Sequence, residues 1–132
     1  MTIQTAFTKL FGVDHPIVLA PMGSVAGGAL AAAVSGAGGL GIIGGGYGNR
    51  AELQREFEAA GNAPVGVGFI TWSLAKQPEL LDLALDRAPK ALFLSFGELA
   101  PFAPKIKKAN VPLIAQVQTI AQAKQALAEG AD

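Results

Sequence analysis

Five short apolar runs recur along this chain at nearly even intervals: PIVLAPM from Pro16, LGIIGG from Leu40, PVGVGFI from Pro64, ALFLSF from Ala91 and PLIAQVQ from Pro112. Their period is about that of one strand-plus-helix unit. Each run is apolar throughout, without alternation, as suits parallel strands buried on both faces. The stretches between them have helical character. GGALAAAVSGA is alanine-rich, and RAELQREFEAAG places Leu53, Phe57 and Ala60 on one face with charges opposite. PELLDLALDRAP repeats that pattern, while TIAQAKQALAEG opens on a Thr119 cap and closes on Gly130. The reading is an α/β chain of about five βα units, with Gly130-Ala131-Asp132 at the threshold of a sixth strand.

A chain of 132 residues suits one domain, residues 1–132, with a real core. Two architectures compete for it. Length favours a complete five-stranded doubly wound sheet, since a full (β/α)8 barrel takes roughly 250 residues. Against the sheet, no phosphate-cradling Ser/Thr/Gly loop follows the first strand and no acidic cluster marks the strand ends.

Ten basic residues balance ten acidic ones without a cationic cluster, which points away from nucleic acid and anionic membranes and toward a small-molecule partner. The absence of cysteine excludes disulfides and thiolate metal ligands, and with no signal pattern at the N-terminus the expected location is the cytoplasm. The uncharged stretch Pro16 to Gly48 is long enough to cross a bilayer. Its prolines, its many glycines and its strand-length apolar pieces instead suggest two buried strands flanking a small-residue helix.

Within that stretch, SGAGGLGIIGGGYG imitates the glycine spacing of a dinucleotide-binding turn at Gly36, Gly38 and Gly41. Such a turn must follow a strand and open a helix, so that pyrophosphate meets the helix N-terminus. Here the helix precedes and the strand follows, so Gly36 to Gly39 read as the end of a helix turning into the sheet. Gly44 to Gly46 differ, because they lie at a strand's carboxyl end, where missing side chains let backbone approach a ligand.

Both architectures bind ligands at the carboxyl ends of their strands. Those ends are Ala20 to Ser24, Gly44 to Tyr47, Phe69 to Trp72, Ser95 to Glu98 and Gln116 to Thr119. They are rich in glycine, amides, hydroxyls and aromatics and short of acids, bases and nucleophiles, a lining for a large, flat, neutral ring system. No metal-ligand spacing and no nucleophile–base pair is present. The single histidine, His15, precedes the first strand, away from this rim.

The segment FGVDHPIVLAPMGSVAGGALAAAVSGAGGLGIIGGG resembles the opening of the nitronate monooxygenase (2-nitropropane dioxygenase) family, FMN-dependent (β/α)8 TIM barrels. The Ala-Pro-Met strand end, the helix running into Ser-Gly-Ala-Gly-Gly-Leu-Gly and the Ile-Ile-Gly-Gly-Gly strand end carry the resemblance. It implies a TIM-barrel-type fold cut after about five units, and FMN-dependent oxidation of alkyl nitronates by molecular oxygen to a carbonyl compound and nitrite. Carried over by position, Ala20, Pro21 and Met22 would lie along the flavin, and Gly44, Gly45 and Gly46 would allow its close approach. Phe69 and Thr71 would serve from the third strand end, Ser95 to Gly97 from the fourth and Gln116 from the fifth, with Gln118 a weaker candidate. The resemblance puts the family's catalytic histidine and phosphate loops beyond Asp132. Flavin-dependent enoyl-acyl-carrier reductases and inosine monophosphate dehydrogenases share similar first strands, and a non-catalytic half-barrel is the alternative outside enzymes. Open barrel edges would expose apolar faces that a homo-oligomer could cover.

Overall fold

The computed structural model describes residues 3–132. A short helix α1 (Ala6–Phe11) comes first, followed by α2 (Gly28–Gly36), β1 (Ile42–Gly44), α3 (Arg50–Ala60) and β2 (Gly66–Ile70). Then come α4 (Thr71–Leu74), α5 (Glu79–Leu85), β3 (Leu92–Ser95), α6 (Ala103–Lys108), β4 (Leu113–Ala115) and α7 (Ile120–Glu129). All strand pairings are parallel and the order is β1-β2-β3-β4, with Gly44 beside Gly68, Gly68 beside Phe93, and Phe93 beside Ile114. Chain order therefore equals spatial order. A doubly wound sheet reverses direction at a switch point; this sheet has no reversal and is laid out as the wall of a (β/α)8 barrel.

The first apolar run departs from expectation. It adds only one parallel bridge, Val18 to Leu40, on the free side of β1, where Leu19 N–H donates to Leu40 O at 2.9 Å and Leu40 N–H to Ile17 O at 2.9 Å. Pro16 and Pro21 bracket the run and have no N–H to extend the ladder. Nor is it buried on both faces, since Ile17 is 60% exposed and Val18 38%.

The helices between the runs form where their patterning places them. Leu53, Phe57 and Ala60 are buried along α3, whose Asn49 cap accepts from Glu52 N–H at 2.9 Å. Helix α7 starts at the Thr119 cap and ends at a left-handed Gly130. Helix α1 is unexpected: Thr5 and Thr8 cap it reciprocally, each hydroxyl accepting from the other's N–H. It sets Phe7 and Phe11 beneath the sheet, with ring centroids 4.7 Å apart.

The period of two along each strand separates two faces. On one face Ile43, Val67, Leu92, Leu94 and Leu113 form the main core with Leu53, Phe57, Leu80, Leu81 and Ile106 of the helices. On the other, Leu40, Ile42 and Ala91 pack with Phe11, flanked by Phe7, Phe93 and Ile114. This inner face continues into an open apolar groove of about 680 Å³ bordered by Phe7, Leu10, Val18, Ile114 and Leu127. Among the described residues no helix is long and apolar enough to cross a membrane.

Candidate functional site

At the carboxyl end of the inner face, the strand ends enclose a cavity of about 360 Å³. Its floor is made by a backbone segment instead of by strand side chains. A Cβ on Gly68 would lie 2.3 Å from Pro21 Cβ and 2.6 Å from Pro21 Cγ, and one on Gly44 would lie 2.5 Å from the Met22 carbonyl. Two neighbouring strands thus present hydrogen atoms where side chains would stand, and Pro21 to Gly23 lies flat across the gap. Glycine within a strand marks this kind of close approach.

Seven of the sequence candidates line the cavity: Ala20, Pro21, Gly46, Phe69, Ser95, Phe96 and Gln116. Gly23, Gly68, Ile70 and Phe93 complete it. Of these, Phe93 was readable from the register, two residues before Ser95 on the same face. Phe96 has a left-handed backbone, φ 60°, which turns a large ring out at the rim, where it is 57% exposed. That conformation is costly for a bulky side chain and is found at functional rims.

The other candidates lie elsewhere. Met22 is 42% exposed, and its backbone fills the space above Gly44. Gly44 and Gly45 abut protein: a Cβ on Gly45 would lie 2.7 Å from Gly68 O and 2.9 Å from the Phe69 ring. Close packing of the chain on itself accounts for both glycines. Gly46 is the member of the triplet with room, for a Cβ there would meet only Gly23 Cα, at 3.9 Å. Thr71 is 2% exposed beside Gly97, and its Oγ1 has no hydrogen-bond partner. Gln118 lines a smaller neighbouring cleft with Gln116. His15 lies against Gly38, at the opposite end of the strands.

Residues 4–84, more than half of the chain, match the family model for nitronate monooxygenase. The chain belongs to the nitronate monooxygenase family. Along 99% of its length it is 31% identical to (3aS,4S,5R,7aS)-5-hydroxy-7a-methyl-1-oxo-octahydro-1H-indene-4-carboxyl-CoA dehydrogenase of Rhodococcus jostii, covering 38% of that protein. It is 30% identical to a nitronate monooxygenase of Paraburkholderia phytofirmans over its whole length, covering 48% of that protein. The structure of FabK from Thermotoga maritima superposes on 99% of the chain with a TM-score of 0.88 and 28% identity, over 43% of FabK. The chain spans less than half the length of each of these relatives. They are oxidoreductases on the TIM-barrel fold, and the nitronate monooxygenase family is flavin-dependent.

The residues of this family member fit a flavin ring. The cavity walls are flat and apolar at Pro21, Phe93 and Phe96, the Phe69 ring being turned into the helix-facing core, while the Ser95 hydroxyl and the Gln116 amide offer a donor and acceptors. No charged side chain is among them. An uncharged, part-polar cleft suits a neutral ring with heteroatoms at its edge, and Gly46 leaves a gap that a Cβ would fill.

Thr71 offers a test of packing at the same rim. A buried hydroxyl without a partner is unfavourable by about 1–3 kcal/mol. Thr71→Val keeps the shape and removes that hydroxyl. The expected result is a rise in stability of about 1 kcal/mol, read as a shift of the urea midpoint; a fall would mean that the hydroxyl has a partner after all.

Proposed function

We propose that this chain supplies the ring-binding wall of an FMN-dependent nitronate oxidase, which converts an alkyl nitronate and dioxygen to a carbonyl compound and nitrite. The observation that carries this reading is the uncharged, aromatic-walled cavity at the carboxyl strand ends of a nitronate monooxygenase family chain. A bound flavin supplies electron transfer between nitronate and oxygen. A nitronate has already lost its α-proton, so the work of this chain's residues is to bind, orient and exclude water. Pro21 and Phe93 hold the ring by contact, and Ser95 and Gln116 fix its polar edge by hydrogen bonds. Phe96 shields the mouth.

Because every lining residue is uncharged, the dianionic phosphate of FMN gains nothing from this cavity. Riboflavin and FMN should therefore bind this chain weakly and alike, with dissociation constants within about threefold of each other, as read by titration of flavin fluorescence. An FMN preference of about tenfold or more would place a phosphate site on this chain and contradict the assignment of ring contacts only.

A second reading is favoured by the 31% identical dehydrogenase of a CoA thioester: a flavin site that exchanges hydride with a nicotinamide or an acyl thioester. Anaerobic bleaching separates the two. With saturating FMN, bleaching by propyl-2-nitronate and not by NADH supports nitronate oxidation, and the reverse supports the second reading.

A further inference from the structure

The loop from Gly45 to Asn49 carries Gly46 to the cavity wall, and it contains two left-handed glycines, Gly46 at φ 55° and Gly48 at φ 84°. Glycine-rich backbone loses more freedom on ordering than any other. Within the loop only the turn bond from Gly48 N–H to Gly45 O, at 3.2 Å, restrains this backbone. Two side chains after β2 add to it from outside. Ser73, 4% exposed, donates its hydroxyl to Tyr47 O at 2.6 Å, and Gln77 Nε2 donates to Gly48 O at 2.9 Å. Gly48 fits closely against that amide, since a Cβ there would lie 3.0 Å from Gln77 Nε2. At the loop's start Gly45 N–H donates to Gly68 O at 2.8 Å. The exits of β1 and β2 are thereby tied together on one side of the cavity, and Gly46 is pressed to Gly23, where a Cβ on Gly23 would lie 3.1 Å from Gly46 Cα. Neither Ser73 nor Gln77 lines the cavity.

We propose that Ser73 and Gln77 are positioning residues for the ring cavity, acting through the carbonyls of Tyr47 and Gly48 to hold Gly46 in place. This rests on the ring-binding reading given above. Preorganised backbone raises affinity by removing the ordering penalty from the binding step. Its loss should appear as weaker ring binding together with a loosened loop, out of proportion to any change in global stability.

The test uses the full chain with Ser73→Ala and with Gln77→Met, which keeps side-chain length and removes the donor. Thr5→Ala, a cap of α1 remote from the cavity, is the control for general destabilisation. Three quantities are read: riboflavin affinity, amide hydrogen exchange over residues 45–49 without ligand, and the urea midpoint. The expected result is about tenfold weaker riboflavin binding and faster exchange at residues 45–49 in both clamp variants, with neither change in Thr5→Ala. Wild-type protein that binds riboflavin while both variants bind it equally well overturns the clamp alone, whether or not the loop exchanges faster. Equal weakening in Thr5→Ala also overturns it, assigning the effect to stability. Wild-type protein that binds no riboflavin overturns the ring-binding reading and the clamp with it.

Discussion

Gly41→Ala should cost this chain at least about 3 kcal/mol of stability or prevent its folding, at the upper end of what overpacking a core does. A Cβ at Gly41 would lie 1.8 Å from the Ala31 carbonyl oxygen and 2.8 Å from Ser35 Oγ. Both are fixed: Ala31 lies in the middle of α2, fully buried, and Ser35 Oγ accepts from Gly41 N–H at 3.1 Å while donating to Pro64 O at 3.0 Å. Gly41 O in turn accepts from Gly66 N–H at 2.8 Å. Relief would require α2 to lift off the sheet, against a total stability of only about 5–15 kcal/mol. Gly36→Ala is the matched control, because a Cβ there meets nothing within 4 Å at the end of the same helix. It should leave stability unchanged or raise it by up to about 1 kcal/mol. Urea denaturation followed by circular dichroism gives both values, and equal midpoints would refute the close helix–strand approach.

Gly68→Ala should act in the opposite proportion, with a modest loss of stability and a large loss of ring binding. The clash is with the Pro21 ring, at 2.3 Å and 2.6 Å, and Pro21 sits on a segment outside the sheet ladder, joined to it by the Val18–Leu40 bridge before it and by Gly44 N–H to Ala26 O at 2.8 Å after it. The new methyl group displaces that segment more easily than it bends β2. An overpacking penalty of about 1–3 kcal/mol is expected, together with riboflavin affinity reduced by more than about tenfold, because Pro21 and Gly23 form the floor of the cavity. Pro21→Gly in the same chain should recover stability and not binding. Riboflavin affinity equal to wild type in Gly68→Ala would remove Pro21 from the site.

The repeat of apolar runs and the face of α3 were legible because each depends on local patterning that tertiary contacts reinforce: Leu53, Phe57 and Ala60 are spaced for one helix face and all three are buried. The end of α7 was legible for the same reason, since Gly130 adopts the left-handed cap its position calls for. What could not be read depended on partners distant in sequence. The glycines at 44 and 45 suggested space for a ligand, whereas Met22 and Phe69 occupy that space. The apolar run from Pro16 looked like any other strand, and its exposure follows from its place at the sheet margin beside β1 alone. Helix α1 was missed because its caps are two threonines instead of a threonine and a glutamate. Phe96 was placed at a strand end by the apolar run before it, but its left-handed backbone gave no signal, since neighbouring elements impose it.

Tyr47 and Trp72 are the chain's sole tyrosine and sole tryptophan, and their rings stand 6.0 Å apart on the rim, with Lys76 Nζ 4.9 Å from the Trp72 ring centre. Intrinsic emission from this protein therefore comes from a single spot beside the cavity and carries almost no report of the sheet. A fluorescence melting curve will follow the release of the Tyr47 loop, whereas ellipticity follows the loss of the helices. Where the two curves separate, the interval between them measures how much of the molecule survives once its mouth has come apart.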